Sequence, residues 1–209
     1  MSKEYGKYVR GGAPETKKFD MNKPYVKARA YLLPFVWAYC NIRRFHHLEK
    51  VEKIRMEGIK PPYILLCNHN SFYDFYVMMA AIAPYRAIHP AAVDDYIGRE
   101  HLLRVAGTVP KRKYTADISL LRVARQALKE NQIFGIYAEA RYSLCGVTEV
   151  IPDAIGQLIK HHKVPVVVLN CKGHHIYDPF WGDHKKRIVT GLHSTMTQIL
   201  TPDEIKSMT

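Results

Sequence analysis

An α/β fold, with a central mostly parallel sheet flanked by helices, is what this sequence predicts, on three observations. From residue 51 onward, short β-rich runs alternate with segments of helical period. The run VPVVVLNCKG, from residue 164, reads as a buried strand, and YILLC (63–67) as a second strand. The chain has 209 residues, of which 47% are hydrophobic and 24% charged, enough apolar surface to pack the core of one domain of ordinary size or a little more. There is no internal repeat.

The elements follow in order. Residues 1–21 read as a flexible N-terminal arm with GGAPETKK as its loop-like part. Residues 22–60 read as a basic amphipathic helical segment. Its centre, Ala30 to Cys40, carries no charge, Lys27 and Arg29 flank one side and Arg43 and Arg44 the other, and Tyr25, Tyr31, Trp37 and Tyr39 supply amphipathic rings. The uncharged run is too short to span a bilayer, which takes about 20 apolar residues. Two readings are open: a helix lying in a membrane interface, or one packed on the domain and bent at Pro34. Residues 61–209 form the α/β domain. After the strand at 63–67 come a helix at 71–83, a strand-like run at 85–93, and a helical stretch at 95–107 closed by Gly107. A further helix at 115–131 has Thr115 as N-cap and Ile118, Leu121, Ala124 and Leu128 on one face. QIFGIYAE is a strand, PDAIGQLIKHHK a helix, and HHIYDPFWG (174–182) a loop. TPDEIKSMT carries a cap, a proline at the first helical position and acids in the first turn. Either that last helix is very short or the sequence is a truncated piece.

The net charge of +12 is unevenly spread: 14 Lys+Arg against 6 Asp+Glu up to residue 62, and 17 against 13 after it. A basic first third suits an attachment surface for phosphates, of nucleic acid or of anionic lipid. Nucleic acid is disfavoured, because no binding motif is present and the basic residues are interleaved with an apolar run. The four cysteines form no C-x-x-C pair, and no early apolar run marks a signal peptide, so a reducing, cytoplasmic setting is favoured. The histidine pairs 46–47, 161–162 and 174–175 are adjacent in sequence, so their side chains diverge rather than converge on an ion, and no metal or cofactor is expected.

The stretch CNHNSFYD (67–74) places His69 just past a strand end and Asp74 five residues later. With Ser71 as N-cap, Asp74 falls at N3 and reaches back toward the loop. It is then either only a cap, or the acid that holds one nitrogen of His69 and leaves the other free as a base. Loops at the C-terminal ends of strands are where α/β sheets place their chemistry.

Asn68-His69-x4-Asp74 resembles the N-H-x4-D signature of the glycerophospholipid acyltransferase family, which includes the 1-acylglycerol-3-phosphate acyltransferases. Three more blocks follow in family order: GTVPKRK (107–113), YAEARYS (137–143) and VPVVVLN (164–170). The departures are local. Lys113 stands where the family has arginine, with Arg112 adjacent; Ala138 stands for proline and Ala140 for glycine; the third block's arginine is displaced to Arg141, with Tyr142 in its usual place. The chain therefore looks like a divergent member. The resemblance implies an O-acyltransferase at the cytoplasmic face of a membrane, held peripherally or monotopically. It would move a fatty acyl group from acyl-CoA or acyl carrier protein, as co-substrate, to a hydroxyl of a lysophospholipid or glycerol-phosphate-type acceptor. His69 is then the base and Asp74 its orienter. Lys111, Arg112 and Lys113 are then a clamp on the acceptor's phosphate or on the donor's phosphopantetheine region, with Glu139 and Arg141 beside it, and backbone N–H groups near Ser71 or in 137–143 serve the oxyanion. The alternative is a catalytically silent relative that binds lipid or another anion.

Overall fold

The computed structural model describes residues 34, 35, 38, 50–71, 73–96, 99–111, 118–143, 145–148, 150–177 and 192–208. The N-terminal arm and most of residues 22–49 lie outside these; within that segment Pro34, Phe35 and Ala38 are helical and Phe35 is exposed. No helix among the described residues is long and apolar enough to cross a membrane.

Seven strands form one sheet: β1 (Lys50–Ile54), β2 (Tyr63–Cys67), β3 (Ala87–Ala92), β4 (Thr108–Lys111), β5 (Ile133–Tyr137), β6 (Val166–Lys172) and β7 (His193–Leu200). Their spatial order is β1-β7-β6-β2-β5-β3-β4. Every neighbouring pair is parallel except β6 and β7, so the mostly parallel sheet expected from the strand–helix alternation is present. Residues 50–54 are a correction: they were expected in the helical segment, but they pair with β7 from Lys50↔His193 to Ile54↔Thr197, so the sheet begins before residue 61.

From residue 50 on, the helices among the described residues are α1 (Asp74–Ile82), α2 (Glu100–Val105), α3 (Ile118–Lys129), α4 (Asp153–His162), α5 (His174–Tyr177) and α6 (Pro202–Ser207), with a 3₁₀ turn at Val93–Tyr96. The side-chain alternation of the strands sorts the core into two layers. On one face Tyr63, Leu65, Cys67, Ile133, Val167 and Leu169 pack against Val77, Met78, Ala81 and Ile82 of α1. On the other, Ile64, Leu66, Phe134 and Ile136 pack against Ala124 and Leu128 of α3, Ile155 and Leu158 of α4 and Ile205 of α6. All five residues of β2 are buried, as a central parallel strand covered on both faces requires.

Local details depart from the sequence reading in three places. In α3 the buried stripe is Ala124, Ala127 and Leu128 with Leu120 and Val123 packed beside them; Leu121 lies at the edge of that stripe and is 52% exposed. Residues 174–177, expected in a loop, form the short helix α5, and 178–182 lie outside the described residues, as does Thr115. Helix α1 starts at Asp74, with Tyr73 and not Ser71 at its cap. The reciprocal bonding expected of the cap is still made, in the turn before the helix: Tyr73 N–H donates to Ser71 Oγ (3.1 Å) and Ser71 N–H to the Asp74 carboxylate (2.8 Å).

Candidate active site

Strands β2, β3, β4, β5 and β6 are mutually parallel, so their C-terminal ends lie along one edge of the sheet. Every site residue read from the sequence that is described follows or ends one of these strands. His69 follows β2, Lys111 ends β4, and Glu139 and Arg141 follow β5. The spacing separates them. β4 is three strands from β2, about 14 Å at the usual interval between strands, so Lys111 is not beside His69. Arg112 and Lys113 lie outside the described residues. Glu139 is buried and Arg141 exposed, in the turn that leaves β5.

The loop carrying His69 is pinned by its neighbours in sequence, which is why an asparagine stands on either side. Asn68 donates to the Cys171 carbonyl (2.9 Å) and accepts from the Cys171 N–H (2.8 Å), closing a two-bond clasp onto the end of β6. Asn70 donates to the same carbonyl at 2.7 Å. From the other side Ser143 N–H donates to the His69 carbonyl (2.6 Å). Ser143, shared with the family's third block, thus holds the backbone of the histidine.

His69 and Asp74 are brought together, with Nδ1 3.5 Å from Oδ2. A carboxylate only accepts, so Nδ1 carries the proton, and in the neutral ring Nε2 is the nitrogen with the free lone pair. The contact is long; such bonds in substrate-free sites commonly tighten when the complex forms. The imidazole is 15% exposed, so a substrate can reach it. Its two faces are covered by Tyr137 (centroids 3.7 Å apart, planes 13° apart) and Tyr142 (3.8 Å, 30°). Tyr142, which stands where the family has arginine, is therefore a ring lid on the histidine, not a cation beside it.

Asp74 is buried (1% exposed) and accepts from five donors: Asn70 N–H (2.5 Å), Ser71 N–H (2.8 Å), Ser71 Oγ–H (3.4 Å), His69 and His174 Nδ1 (2.5 Å). Burial alone would raise its pKa, but the hydrogen bonds from His174 and His69 outweigh it and hold the carboxyl well below the usual carboxylate range. Several of the N–H groups near Ser71 that were expected to serve an oxyanion are already bonded. The N–H groups of Asn70 and Ser71 are committed to Asp74, that of Tyr73 to Ser71 Oγ, and that of Asp74 to the Ser71 carbonyl. In the third block Ala138 N–H bonds to Cys67 O, Ala140 N–H to Tyr137 O and Ser143 N–H to His69 O. The Tyr137 hydroxyl, in contrast, is buried with no hydrogen-bond partner among the described residues. Burial, with the Cys67 thiol and Asp74 nearby, pushes its pKa well above the ordinary phenol value, so it is a neutral O–H donor beside the imidazole.

Two histidines of the site were missed. His174, one of an adjacent pair that sequence reading set aside, turns inward to Asp74 at 2.5 Å, while His175 lies against Gly146. His89, on β3, is 4% exposed, and burial followed by the charge of His69 pushes its pKa down to about 4, so it is neutral. Nothing local in the sequence marks either one, because both reach the site by strand order. Asp74, Cys171 and His174 are the residues that could hold a metal among those described, with ligand atoms all within 4.8 Å. The carboxylate and the imidazole are already hydrogen-bonded at 2.5 Å. Two ligands on a tetrahedral zinc sit about 3.3 Å apart given its usual bond lengths, so the contact fits a proton better than an ion.

Ala140, where the family has glycine, has φ +55°, the left-handed region. An L side chain there costs about 1–2 kcal/mol, while glycine would lose about 0.4–1 kcal/mol more backbone entropy on folding. Ala140→Gly is therefore expected to stabilise the protein by about 0.5–1 kcal/mol, read as a higher urea midpoint; a lower midpoint would mean that the left-handed turn carries no penalty.

The sequence matches the Acyltransferase family over residues 42–172, well over half the chain, and the protein belongs to that family. Among solved structures, the chain is similar to the 1-acyl-sn-glycerophosphate (LPA) acyltransferase PlsC from Thermotoga maritima, with a TM-score of 0.60 and 18% identity over 85% of this chain and 72% of that one. That likeness is one of fold. A comparison with curated proteins found no match.

Proposed function

We propose that the protein transfers a fatty acyl group from acyl-CoA or acyl carrier protein to a hydroxyl of a lysophospholipid or glycerol-phosphate-type acceptor. The observation that carries this reading is the His69–Asp74 pair at the C-terminal end of β2, with the imidazole still open to the outside at 15% exposure. Nε2 takes the proton of the acceptor hydroxyl as its oxygen attacks the thioester carbonyl. The C–O bond forms, the C–S bond breaks, and the imidazolium returns the proton to the leaving thiolate. The carbonyl oxygen becomes an oxyanion on the way, and the Tyr137 O–H, without a partner among the described residues, is a donor placed to meet it. Lys111 stands far enough along the sheet edge to meet a phosphate at the other end of an extended substrate, and the Glu139–Arg141 turn lies between. The net charge of +12 and the basic, aromatic segment before β1 support work at the cytoplasmic face of a membrane, with no cofactor beyond the acyl carrier.

One observation favours the second reading, a silent lipid- or anion-binding relative: Tyr137 and Tyr142 cover both faces of the imidazole. Incubation with labelled long-chain acyl-CoA or acyl carrier protein and a panel of lysolipids separates the two. Ester product with at least one donor and acceptor supports transfer, whereas lysolipid binding without product from any donor supports the silent relative.

A further inference from the structure

Asp74 serves two histidines, and the tighter bond goes to the one outside the motif. Oδ1 lies 2.5 Å from His174 Nδ1, while Oδ2 takes the N–H groups of Asn70 and Ser71 and stands 3.5 Å from His69. Without His174, the described partner left to Oδ1 is the Ser71 hydroxyl at 3.4 Å, too long to fix the plane of a carboxylate. His174 itself is held firmly. It is 0% exposed, and the Tyr73 ring lies 5.4 Å from its own. It follows Gly173, whose φ of +84° turns the chain at the end of β6, where a Cβ would come within 3.1 Å of Leu192. The bond also spans 100 residues, joining the start of α1 to the exit of β6, on either side of the His69 loop.

We propose that His174 is a positioning residue for acyl transfer: its Nδ1–H holds one oxygen of Asp74 so that the other faces His69. This deepens the function proposed above and rests on it for its kinetic arm. His174 touches no substrate, so its loss should appear in kcat and leave KM alone. Asparagine places its amide nitrogen close to where Nδ1 stands and keeps a donor; alanine keeps none.

The experiment compares wild type, His174→Ala and His174→Asn in steady-state transfer, alongside proton NMR of the folded proteins without substrate. His174→Ala is expected to lose about 10–100-fold in kcat at unchanged KM, by analogy with the loss when the outer hydrogen-bond partner of a metal-bound ligand is removed. His174→Asn should recover to within a few-fold of wild type. In the NMR arm, wild type should show a strongly deshielded ring N–H, protected from exchange, that is lost in His174→Asn and in Asp74→Asn. Equal slowing in both His174 variants, a full rate in His174→Ala, or a change confined to KM overturns the proposal. If His174→Ala does not fold, the asparagine variant and the wild-type resonance still decide. A protein that shows the resonance but transfers nothing has lost the proposed function and kept the arrangement; one that transfers without the resonance contradicts the positioning role.

Discussion

Asp74→Ala is expected to destabilise the protein by about 3–5 kcal/mol, the range for removing one member of a buried, hydrogen-bonded charge network. The carboxylate accepts from two backbone N–H groups, a hydroxyl and two imidazoles. Alanine leaves those of Asn70, Ser71 and His174 buried without an acceptor, and each carries its own desolvation cost. Asp74→Asn keeps the volume but turns one acceptor oxygen into an NH₂ donor among donors, so it should fall between wild type and alanine in stability and well below wild type in rate. The pH dependence has a definite sign. The folded carboxyl titrates below the usual range: burial pushes it up, but the bonds from His174 and His69 outweigh this. A group depressed on folding stabilises fully above its unfolded pKa, about 3.9 for aspartate, and loses that contribution as pH falls below it toward the folded value. The gap between wild type and Asp74→Ala in urea unfolding should thus be full at pH 7 and smaller at pH 3. A gap that grows in acid contradicts the assignment of Asp74 as a bonded carboxylate.

His69→Ala is expected to lower kcat/KM by about 10²–10⁴-fold, the usual worth of a positioned general base. The fold should survive. The ring is partly exposed, and its loss removes two aromatic stacks, worth about 0.5–1.5 kcal/mol each, while the Asn68, Asn70 and Ser143 bonds that pin the loop do not use the imidazole. Circular dichroism unchanged beside a collapsed rate is the expected pair of results; an unchanged rate removes His69 from the chemistry.

How much of this could be read from residues alone follows from the range of each interaction. The central strands were legible, because burial on both faces leaves an uninterrupted apolar run such as YILLC. The pairing of His69 with Asp74 was legible because five residues and one turn join them. Strand β1, at the sheet edge, and β7 beside it were not. KVEKI sits at the end of a basic segment and HSTMTQIL mixes apolar with hydroxyl and amide residues, so neither carries the signal of a core strand. His174 and His89 stayed hidden because sheet order, not sequence distance, brings them to the site. The departures from the family blocks were visible, but their meaning was not: Ala140 proves to sit in a glycine conformation, and Tyr142 proves to lie on the base.

The most direct test of the account is stoichiometric. Purified protein is mixed with an acyl thioester and a lysolipid acceptor, and free thiol and new ester are counted together over time. One ester should form for each thiol released, both dependent on the acceptor and both abolished with His69→Ala. Thiol release without ester, or release that continues unchanged in His69→Ala, would contradict it.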